Sequence, residues 1–450
     1  MIFNIFLLLL AIIILIVVAK FFKTASGSLS VLKLNLISVS FYFYIIFFYI
    51  GNILILFGYS NSWALTGIVE NRDIVISTYL IVLWTFFSMG MTMFLIKYFL
   101  HINFNKEYDK YLKKPISSLF SPEDSYAYYL LIGLLFVSII SIIYVLRNTQ
   151  NIALFSLFSS SAKGLARLRI ETRYVYNGSS TIRDIFALTF TPILSYIFYV
   201  YYQKYRQKKW LVCFLISFFC SLFIKVYDLQ KMPIILYLAS FIFLNIFIFG
   251  GVRYKNVAKY AALAIFLAAL SYRFVMQVDW AIIPLSMTRR LFISQIAPLY
   301  WHIDIFPDLV NYLEGKSLAN ILTTILDINH IRSGRVVMEI LNPSGISGGT
   351  AGVMCTLFVG EAFANFGWLA LIIAPIYVGT FIQFIYILLL KLPKNPLFIS
   401  INAYLCSLIP SMMISGFADF IFNHALLWLI IIWIIFYFLG LISKRLTKNL

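Results

Sequence analysis

The chain has 450 residues, of which 62% are hydrophobic, 18% are aromatic and only 12% are charged. Soluble globular proteins are about half apolar and about a quarter charged, so this composition excludes a soluble enzyme. The apolar runs are continuous rather than alternating, which excludes an outer-membrane barrel and indicates an all-α, multi-pass membrane protein. The net charge of +18 is therefore interpreted through membrane topology and anionic lipid, and nucleic acid is not expected as a partner.

Eleven runs of the sequence are long and apolar enough to cross a bilayer, which takes about 20 residues per helix. They lie at roughly 2–19, 34–58, 74–100, 126–147, 184–203, 210–226, 232–250, 260–277, 355–390 (with the crossing at 367–390), 397–415 and 420–441. Lys225, Asp228 and Lys231 interrupt the sixth and seventh runs. The sixth and seventh runs could therefore form either a tight hairpin of two helices or one long bent element.

Positive charges predict the orientation. No basic residue precedes the first run, and Lys20 and Lys23 follow it. This argues against a cleaved signal peptide and places the N-terminus outside and the C-terminus in the cytoplasm. On this topology the cytoplasmic loops contain 17 Lys and 3 Arg, whereas the outer side contains 4 Lys and 11 Arg. Arginine binds phosphate through a planar fork, so the outer arginines suggest a function. Alternatively, they form ordinary salt bridges with the 13 acidic residues on that side.

The predicted domain organisation follows from these spans. Residues 1–147 contain transmembrane helices 1–4, and residues 148–183 form a first large outer loop. Residues 184–277 contain helices 5–8, and residues 278–354 form a second large outer loop. Helices 9–11 and a cytoplasmic tail occupy residues 355–450. Apolar residues at helical spacing in the second loop predict short helices on the membrane surface. Its glycine-rich end predicts a hinge, and a phosphate-binding turn is the alternative. The four cysteines have neither zinc nor disulfide spacing.

Arginines form three groups on the predicted outer side. They are Arg167, Arg169 and Arg173 in the first loop, and Arg289 with Arg290 and Arg332 with Arg335 in the second. Arg169 and Arg173 would share a helical face at spacing i, i+4, where like charges repel and favour a bound anion. Three such groups facing one membrane suit a lipid diphosphate held at the level of the headgroups.

Glu361 and Asn365 also share a helical face, beside an apolar span. An ionisable residue in such a place usually faces a cavity, and partial burial would raise the pKa of Glu361 and suit a general base. A helix cap or an interhelical hydrogen bond is the competing interpretation. His302, Asp304 and His330 are the other candidate bases, although a lone histidine in an interfacial helix is often a surface hydrogen bonder.

Aromatic residues in the second loop suggest contacts with sugars. Tyr300, Trp301 and Asn365 are the candidate sugar-binding residues. Tyrosine and tryptophan also form interfacial belts for reasons unrelated to catalysis, so that interpretation stays open. No motif for a nucleotide, a metal or another cofactor is present, and none is expected.

Several of these features resemble the Wzy-type O-antigen and capsular oligosaccharide repeat-unit polymerases. The likeness covers about eleven spans, two large periplasmic loops, and the stretches RRLFISQIAPLYWHIDIFP and GTAGVMCTLFVGEAFANFGWLALI. Loops of that family carry an arginine, ten residues and then a glycine. Arg167 and Gly178 have this spacing, whereas nine residues separate Arg335 from Gly345, one fewer than the family pattern.

The resemblance implies a GT-C-like glycosyltransferase of the bacterial inner membrane that needs no cofactor. It would join undecaprenyl-diphosphate-linked oligosaccharides on the periplasmic side. The arginines would neutralise the departing diphosphate, and Glu361, His302, Asp304 or His330 would act as base. Its partners would be these lipid-linked sugars and membrane lipids, with a chain-length regulator protein as an open question. The alternatives are an O-antigen ligase to lipid A-core and a lipid-linked oligosaccharide flippase, although a flippase should carry its charges within the spans.

Overall fold

The computed structural model describes residues 2–59, 61–119 and 125–448. Across these residues the ordered elements are helices, and no β-strand is present. Eleven of the helices are long and apolar enough to cross a membrane. The prediction of an all-α, multi-pass membrane protein is confirmed. The predicted cytoplasmic loop at 97–125 includes residues 120–124, which lie outside the described residues.

The spanning helices coincide with the predicted runs. Spans 1 to 11 are, in order, Ile2–Ser26, Leu36–Leu56, Arg72–Phe99, Tyr128–Arg147, Ile182–Tyr205, Lys208–Val226, Lys231–Phe249, Tyr254–Phe274, Trp368–Lys391, Pro396–Ile414 and Ala418–Gly440. Spans 6 and 7 are two helices joined at residues 227–230, where Leu229 has a positive φ of 53°. The interrupted pair is therefore a hairpin and not one bent element.

Asparagine side chains begin three of the spans. The side chains of Asn35, Asn71 and Asn395 accept hydrogen bonds from the backbone N–H groups of Ser38, Ile74 and Phe398, at 3.0, 3.3 and 2.9 Å respectively. Each cap satisfies an N–H group that the helix itself leaves without a partner. These residues therefore set where spans 2, 3 and 10 start.

Tyrosine hydroxyls join the first three spans across the core. Tyr79 donates to the carbonyl of Leu7 at 2.9 Å, and Tyr44 donates to the carbonyl of Val82 at 2.8 Å. The ring of Tyr44 also stacks on Phe86, with 4.5 Å between centroids. Because no water reaches such positions, each buried hydroxyl needs a protein acceptor. The high tyrosine content thus contributes to packing between helices as well as to the membrane boundary.

Burial distinguishes the centre of the bundle from its edge. In the most apolar window of span 5, 78% of residues are buried inside the protein, against 6% in span 8. Span 5 therefore lies at the centre, and span 8 lies at the edge, where Tyr272 is buried.

Contacts between the connections divide the molecule into two faces. On one face, Trp301 donates to the carbonyl of Ala64 at 2.7 Å, and Leu154 N–H donates to the carbonyl of Tyr227 at 3.2 Å. This loop face comprises the connections at 57–59, 61–71, 148–181, 227–230, 275–367 and 415–417. On the opposite face, Val252 N–H donates to the carbonyl of Leu32 at 3.0 Å. Alternating spans place the connections on these two faces, so both large loops lie on the same one.

The second large loop is built from short helices and enters the bundle. Its helical segments are Ile283–Thr288, Arg289–Ile293 (a π-turn), Ala297–Ile305, Asn320–Ile325, Ser333–Leu341, Pro343–Ser347 and Val359–Phe366. A Cβ on Gly51 of span 2 would lie 1.7 Å from the carbonyl oxygen of Phe292, so only glycine permits this approach. Tyr300 donates to Asn52 of the same span at 2.7 Å. These contacts hold the loop against span 2.

The first large loop contains one longer helix, Ala162–Tyr174, which carries the predicted arginines. The side chain of Ser161 begins it by accepting a hydrogen bond from Gly164 N–H at 3.3 Å. The hydroxyl of Thr172 donates to the carbonyl of Asn151 at 2.6 Å and accepts from Ala153 N–H at 3.0 Å. The helix is thereby attached to the start of its own loop.

Candidate functional site

Glu361 lies on the short helix Val359–Phe366, which ends where span 9 begins. Gly367 separates the two with a positive φ of 65°, and a Cβ there would approach the Tyr312 ring to 2.9 Å. The break lets the chain change direction between the short helix and the span. Glu361 is consequently held inside the loop face beside span 9, and not within the span.

The carboxyl group of Glu361 is buried and only partly hydrogen bonded. Ser317 donates to Oε1 at 3.0 Å, whereas Oε2 has no hydrogen-bond partner among the described residues. Oε2 packs against Gly416, where a Cβ would lie 2.0 Å away. Burial, reinforced by repulsion from Asp419, raises the pKa of Glu361 to about 8. A carboxyl with such a pKa can exchange a proton near neutral pH.

Asn365, one helical turn later, positions Ser317. Its side-chain oxygen accepts from Gly315 N–H at 3.1 Å and from Ser317 N–H at 3.2 Å. Its amide donates to the carbonyl of Glu361 at 2.8 Å. The predicted sugar-binding role stays untested, but these bonds leave little of the amide available to a sugar.

His302 belongs to the same hydrogen-bonded group. Its Nδ1 lies 2.7 Å from the carbonyl of Pro298, which can only accept, so Nδ1 carries the proton. Its Nε2 therefore accepts from the Ser333 hydroxyl at 3.3 Å. Ser333 N–H in turn donates to Ser317 Oγ at 3.0 Å. Burial lowers the pKa of His302 to about 4, so the ring is neutral near pH 7.

A cavity of about 30 Å³ opens beside these groups. We call it, with its lining side chains, the Glu361 site; these include Glu361, His302, Arg332, Ser333, Cys355 and Gly416. A space of this size holds about one water molecule or one hydroxyl group. A larger substrate would therefore lie outside the cavity and place a single hydroxyl in it.

Arg332 and His330 lie close to this site. Burial and the positive charge of Arg332 lower the pKa of His330, whose Nδ1 has no hydrogen-bond partner among the described residues. Arg332 is exposed and interacts electrostatically with Glu361, where it opposes the rise in pKa. Of the predicted bases, Glu361, His302 and His330 thus share one neighbourhood. Asp304 is half-buried, and burial and Asp308 raise its pKa.

A second group of charged side chains gathers where both large loops meet spans 7 and 8. This basic cluster comprises Arg169, Arg173, Lys231 and Arg290 around the carboxyl group of Asp228. Burial lowers the pKa of Arg169, the neighbouring Arg290 lowers it further, and Asp228 opposes both effects. The Nε of Arg169 is buried without a hydrogen-bond partner among the described residues. Three guanidinium groups gathered beside Lys231 favour a bound anion.

Two side chains position the cluster. Arg173 donates to Gln230 in the connection between spans 6 and 7. Lys231 lies over the ring of Tyr272 at the end of span 8, with 3.6 Å from Nζ to the ring centroid. The cluster therefore joins the first loop to spans 7 and 8 at the boundary of the membrane.

Arg290 connects the two groups. It interacts electrostatically with Arg169 in the basic cluster and with Cys355, which lines the Glu361 site. Cys355 also interacts with Arg332 and Glu361. Arg290 is therefore within electrostatic range of both the basic cluster and the lining of the Glu361 site.

Two predicted arginines are paired with acids on their own helices. Arg167 binds Glu171 at 2.7 Å, and Arg335 binds Glu339 at 2.8 Å, both at spacing i, i+4. These two arginines therefore form ordinary salt bridges, which was the alternative to binding an anion. Arg289 differs, because its Nε is buried and has no hydrogen-bond partner among the described residues.

The aromatic candidates lie away from the Glu361 cavity. Tyr300 is fully buried and donates to Asn52, and burial raises the pKa of its hydroxyl. Trp301 is half-buried and donates to Ala64. Both side chains attach the second loop to the bundle, and in this conformation the Tyr300 ring is not accessible to a sugar.

Sequence reasoning missed Ser317, Ser333 and Gly416, since each meets Glu361 or His302 only through tertiary contacts. Asp419 could have been found, because a lone carboxylate inside an apolar run is a signal in itself. Among the described residues, no three His, Cys, Asp or Glu side chains are grouped as metal ligands. No family model matches the chain, and no curated protein or solved structure matches it either.

Proposed function

We propose that the chain is a glycosyltransferase that polymerises undecaprenyl-diphosphate-linked oligosaccharide repeat units of O-antigen or capsular polysaccharide. One observation carries the proposal: arginines of both large loops lie near one another, and Arg290 is within electrostatic range of Cys355, which lines the cavity beside the buried carboxyl of Glu361. A proton acceptor beside uncompensated cations at the membrane boundary suits the departure of a lipid diphosphate. The proposal also rests on the resemblance of the sequence to the Wzy-type polymerases.

The chemistry divides between the two groups. The hydroxyl of the acceptor sugar enters the cavity and gives its proton to Glu361 as its oxygen bonds to the anomeric carbon of the donor. The bond from that carbon to the diphosphate oxygen breaks, and undecaprenyl diphosphate leaves with the electron pair. Negative charge on the leaving group grows along this path, so the arginine contacts strengthen most in the transition state.

The protonation state of Glu361 sets the pH dependence of this reaction. With a pKa of about 8, only about a tenth of the carboxyl is ionised at pH 7. Transfer by the base form should therefore increase about tenfold per unit below pH 8 and level off above it. Neutral His302 keeps Ser333 in place through this range.

The proposed orientation places the loop face in the periplasm of a bacterial inner membrane, with the N-terminus outside and the C-terminus in the cytoplasm. The distribution of lysine supports it, since the cytoplasmic side would carry 17 of the 21 lysines. Cys355 is exposed on the loop face, whereas Cys213 and Cys406 are buried. Labelling of Cys355 in intact spheroplasts by a membrane-impermeant maleimide is the expected result, and labelling only after lysis would reverse the orientation.

The test of function is the product made by purified protein from undecaprenyl-diphosphate-linked repeat units. A ladder of lengthening sugars supports the polymerase. One transfer to a lipid A-core acceptor would indicate the ligase, and unchanged sugar that moves between leaflets would indicate the flippase. Glu361→Gln should lose about 100-fold or more of the turnover. Glu339→Gln, which removes a half-exposed carboxylate from the same loop, is the matched control and should retain it.

A further inference from the structure

The face opposite the large loops contains a second cavity, of about 470 Å³. Its charged lining consists of Lys33, Lys113, Lys114 and Asp109. Asp109 binds Lys33 at 3.1 Å, so its carboxylate is already used by one of the three lysines. The volume lies within the usual range of small-molecule sites, which is about 300–1,000 Å³.

The cavity lies at the end of span 7 and is apolar on one side. Ile248, Phe249 and Gly250 supply that wall together with Ile116. Phe249 is mostly exposed to the outside of the protein. The apolar wall thus reaches the surface that would face lipid, and the lysines lie where headgroups would be.

A buried cation adds to the positive charge. Lys394 is 1% exposed and donates from Nζ to the carbonyl of Leu112, which also lines the cavity, at 2.7 Å. Burial lowers the pKa of Lys394 to about 8. Its ammonium group also lies over the Tyr111 ring, whose centroid is 5.6 Å from Nζ. A buried cation with these partners favours an anion nearby.

The helix Phe104–Lys113 contributes Asp109, Leu112 and Lys113 to the lining of the cavity. Its residues Phe104, Tyr108, Tyr111 and Leu112 are buried, and Tyr108 donates to the carbonyl of Leu34 at 2.8 Å. The apolar face is thereby fixed to the bundle. Lys106 and Lys110 lie on the exposed side and do not line the cavity.

We propose that this cavity binds the phosphate headgroup of an anionic phospholipid, with the acyl chains lying along Phe249. The continuity of the apolar wall with the lipid-facing surface distinguishes such a lipid from a soluble phosphate. The site is separate from the Glu361 site and does not depend on the proposed function.

The test counts lipids bound to the purified full-length protein by native mass spectrometry. Dioleoylphosphatidylglycerol should remain bound to the wild type, and dioleoylphosphatidylcholine should not. In the double variant Lys113→Gln with Lys114→Gln, affinity for phosphatidylglycerol should fall about tenfold or more. The control variant Lys106→Gln with Lys110→Gln also removes two positive charges, from the exposed side of the helix that ends at Lys113, and should retain the lipid.

Three results would overturn the assignment. Equal losses in both double variants would mean diffuse attraction to a basic helix. Equal binding of the two phospholipids would remove the need for an anionic headgroup. Displacement of phosphatidylglycerol by millimolar glycerol 3-phosphate would identify a soluble anion as the ligand. Thermal midpoints measured without added lipid should agree between the two variants, which excludes a folding defect as the cause.

Discussion

Replacing Glu361 with glutamine should stabilise the folded chain at pH 8 relative to the wild type, although it removes the proposed base. Burial raises the pKa of this carboxyl from 4.5 to about 8. The unfolded chain therefore releases the proton before the folded chain does, and stability is lost as pH increases from about 4.5 towards 8. Between pH 5 and pH 8 this linkage amounts to about 3 kcal/mol, as an order of magnitude.

Glutamine mimics the neutral carboxyl and can accept the hydrogen bond from Ser317, so it should remove only the pH-dependent cost. The fluorescence of the eight tryptophans reports unfolding of the detergent-solubilised protein at pH 5, 6, 7 and 8. The advantage of Glu361→Gln over the wild type should increase by about 3 kcal/mol across this range. Glu339→Gln, at a half-exposed ion pair, should follow the wild type. Parallel curves for Glu361→Gln and the wild type would refute the argument that the carboxyl is desolvated.

Three further predictions concern the two candidate sites. Asp419→Asn removes the repulsion that helps to raise the pKa of Glu361, so the pH profile of transfer should move to lower pH. A profile that stays in place or moves to higher pH would disprove the interaction between Asp419 and Glu361. Gly416→Ala places a Cβ 2.0 Å from Glu361 Oε2 and should lower the free energy of unfolding by about 1–3 kcal/mol, as measured by thermal denaturation. A variant as stable as the wild type would contradict this close packing. Asp228→Asn removes the carboxylate of the basic cluster, so undecaprenyl diphosphate should bind more tightly in a fluorescence competition assay, and weaker binding would contradict this.

The membrane architecture could be predicted because composition alone determines it. Apolar runs of about 20 residues have few alternatives to a spanning helix, and all eleven predicted runs correspond to such helices. The sixth and seventh runs could be read as a hairpin or as one bent helix. Lys225 and Lys231 mark where the apolar runs end and begin, but they do not indicate a turn. The positive φ of Leu229, which makes the hairpin, is a property of the folded backbone.

The candidate site was only partly predictable. The pairing of Arg167 with Glu171 follows from local spacing and could have been predicted from the sequence. The convergence of Arg169 and Arg290 with Asp228 depends on how two loops pack against spans 7 and 8, which no local pattern encodes. Tyr300 was expected near sugars because its aromatic ring could stack on a sugar face.

Its hydrogen bond to Asn52, 248 residues away along the chain, instead places Tyr300 in the core. Side chains that pack through such distant contacts cannot be separated by sequence from those that face a ligand. The same reason explains why Ser317 was missed, since it meets Glu361 across 44 residues.

The central claim is that the basic cluster, and not outer arginine in general, binds the lipid diphosphate. The most direct measurement is the affinity of purified protein for undecaprenyl diphosphate in two matched double variants. Arg169→Gln with Arg290→Gln removes two members of the cluster, whereas Arg167→Gln with Arg335→Gln removes two arginines that are paired with acids on the same two loops. The first variant should bind about 100-fold or more weakly than the wild type, and the second should bind nearly as well. Equal losses in both variants, or a larger loss in the second, would contradict the account.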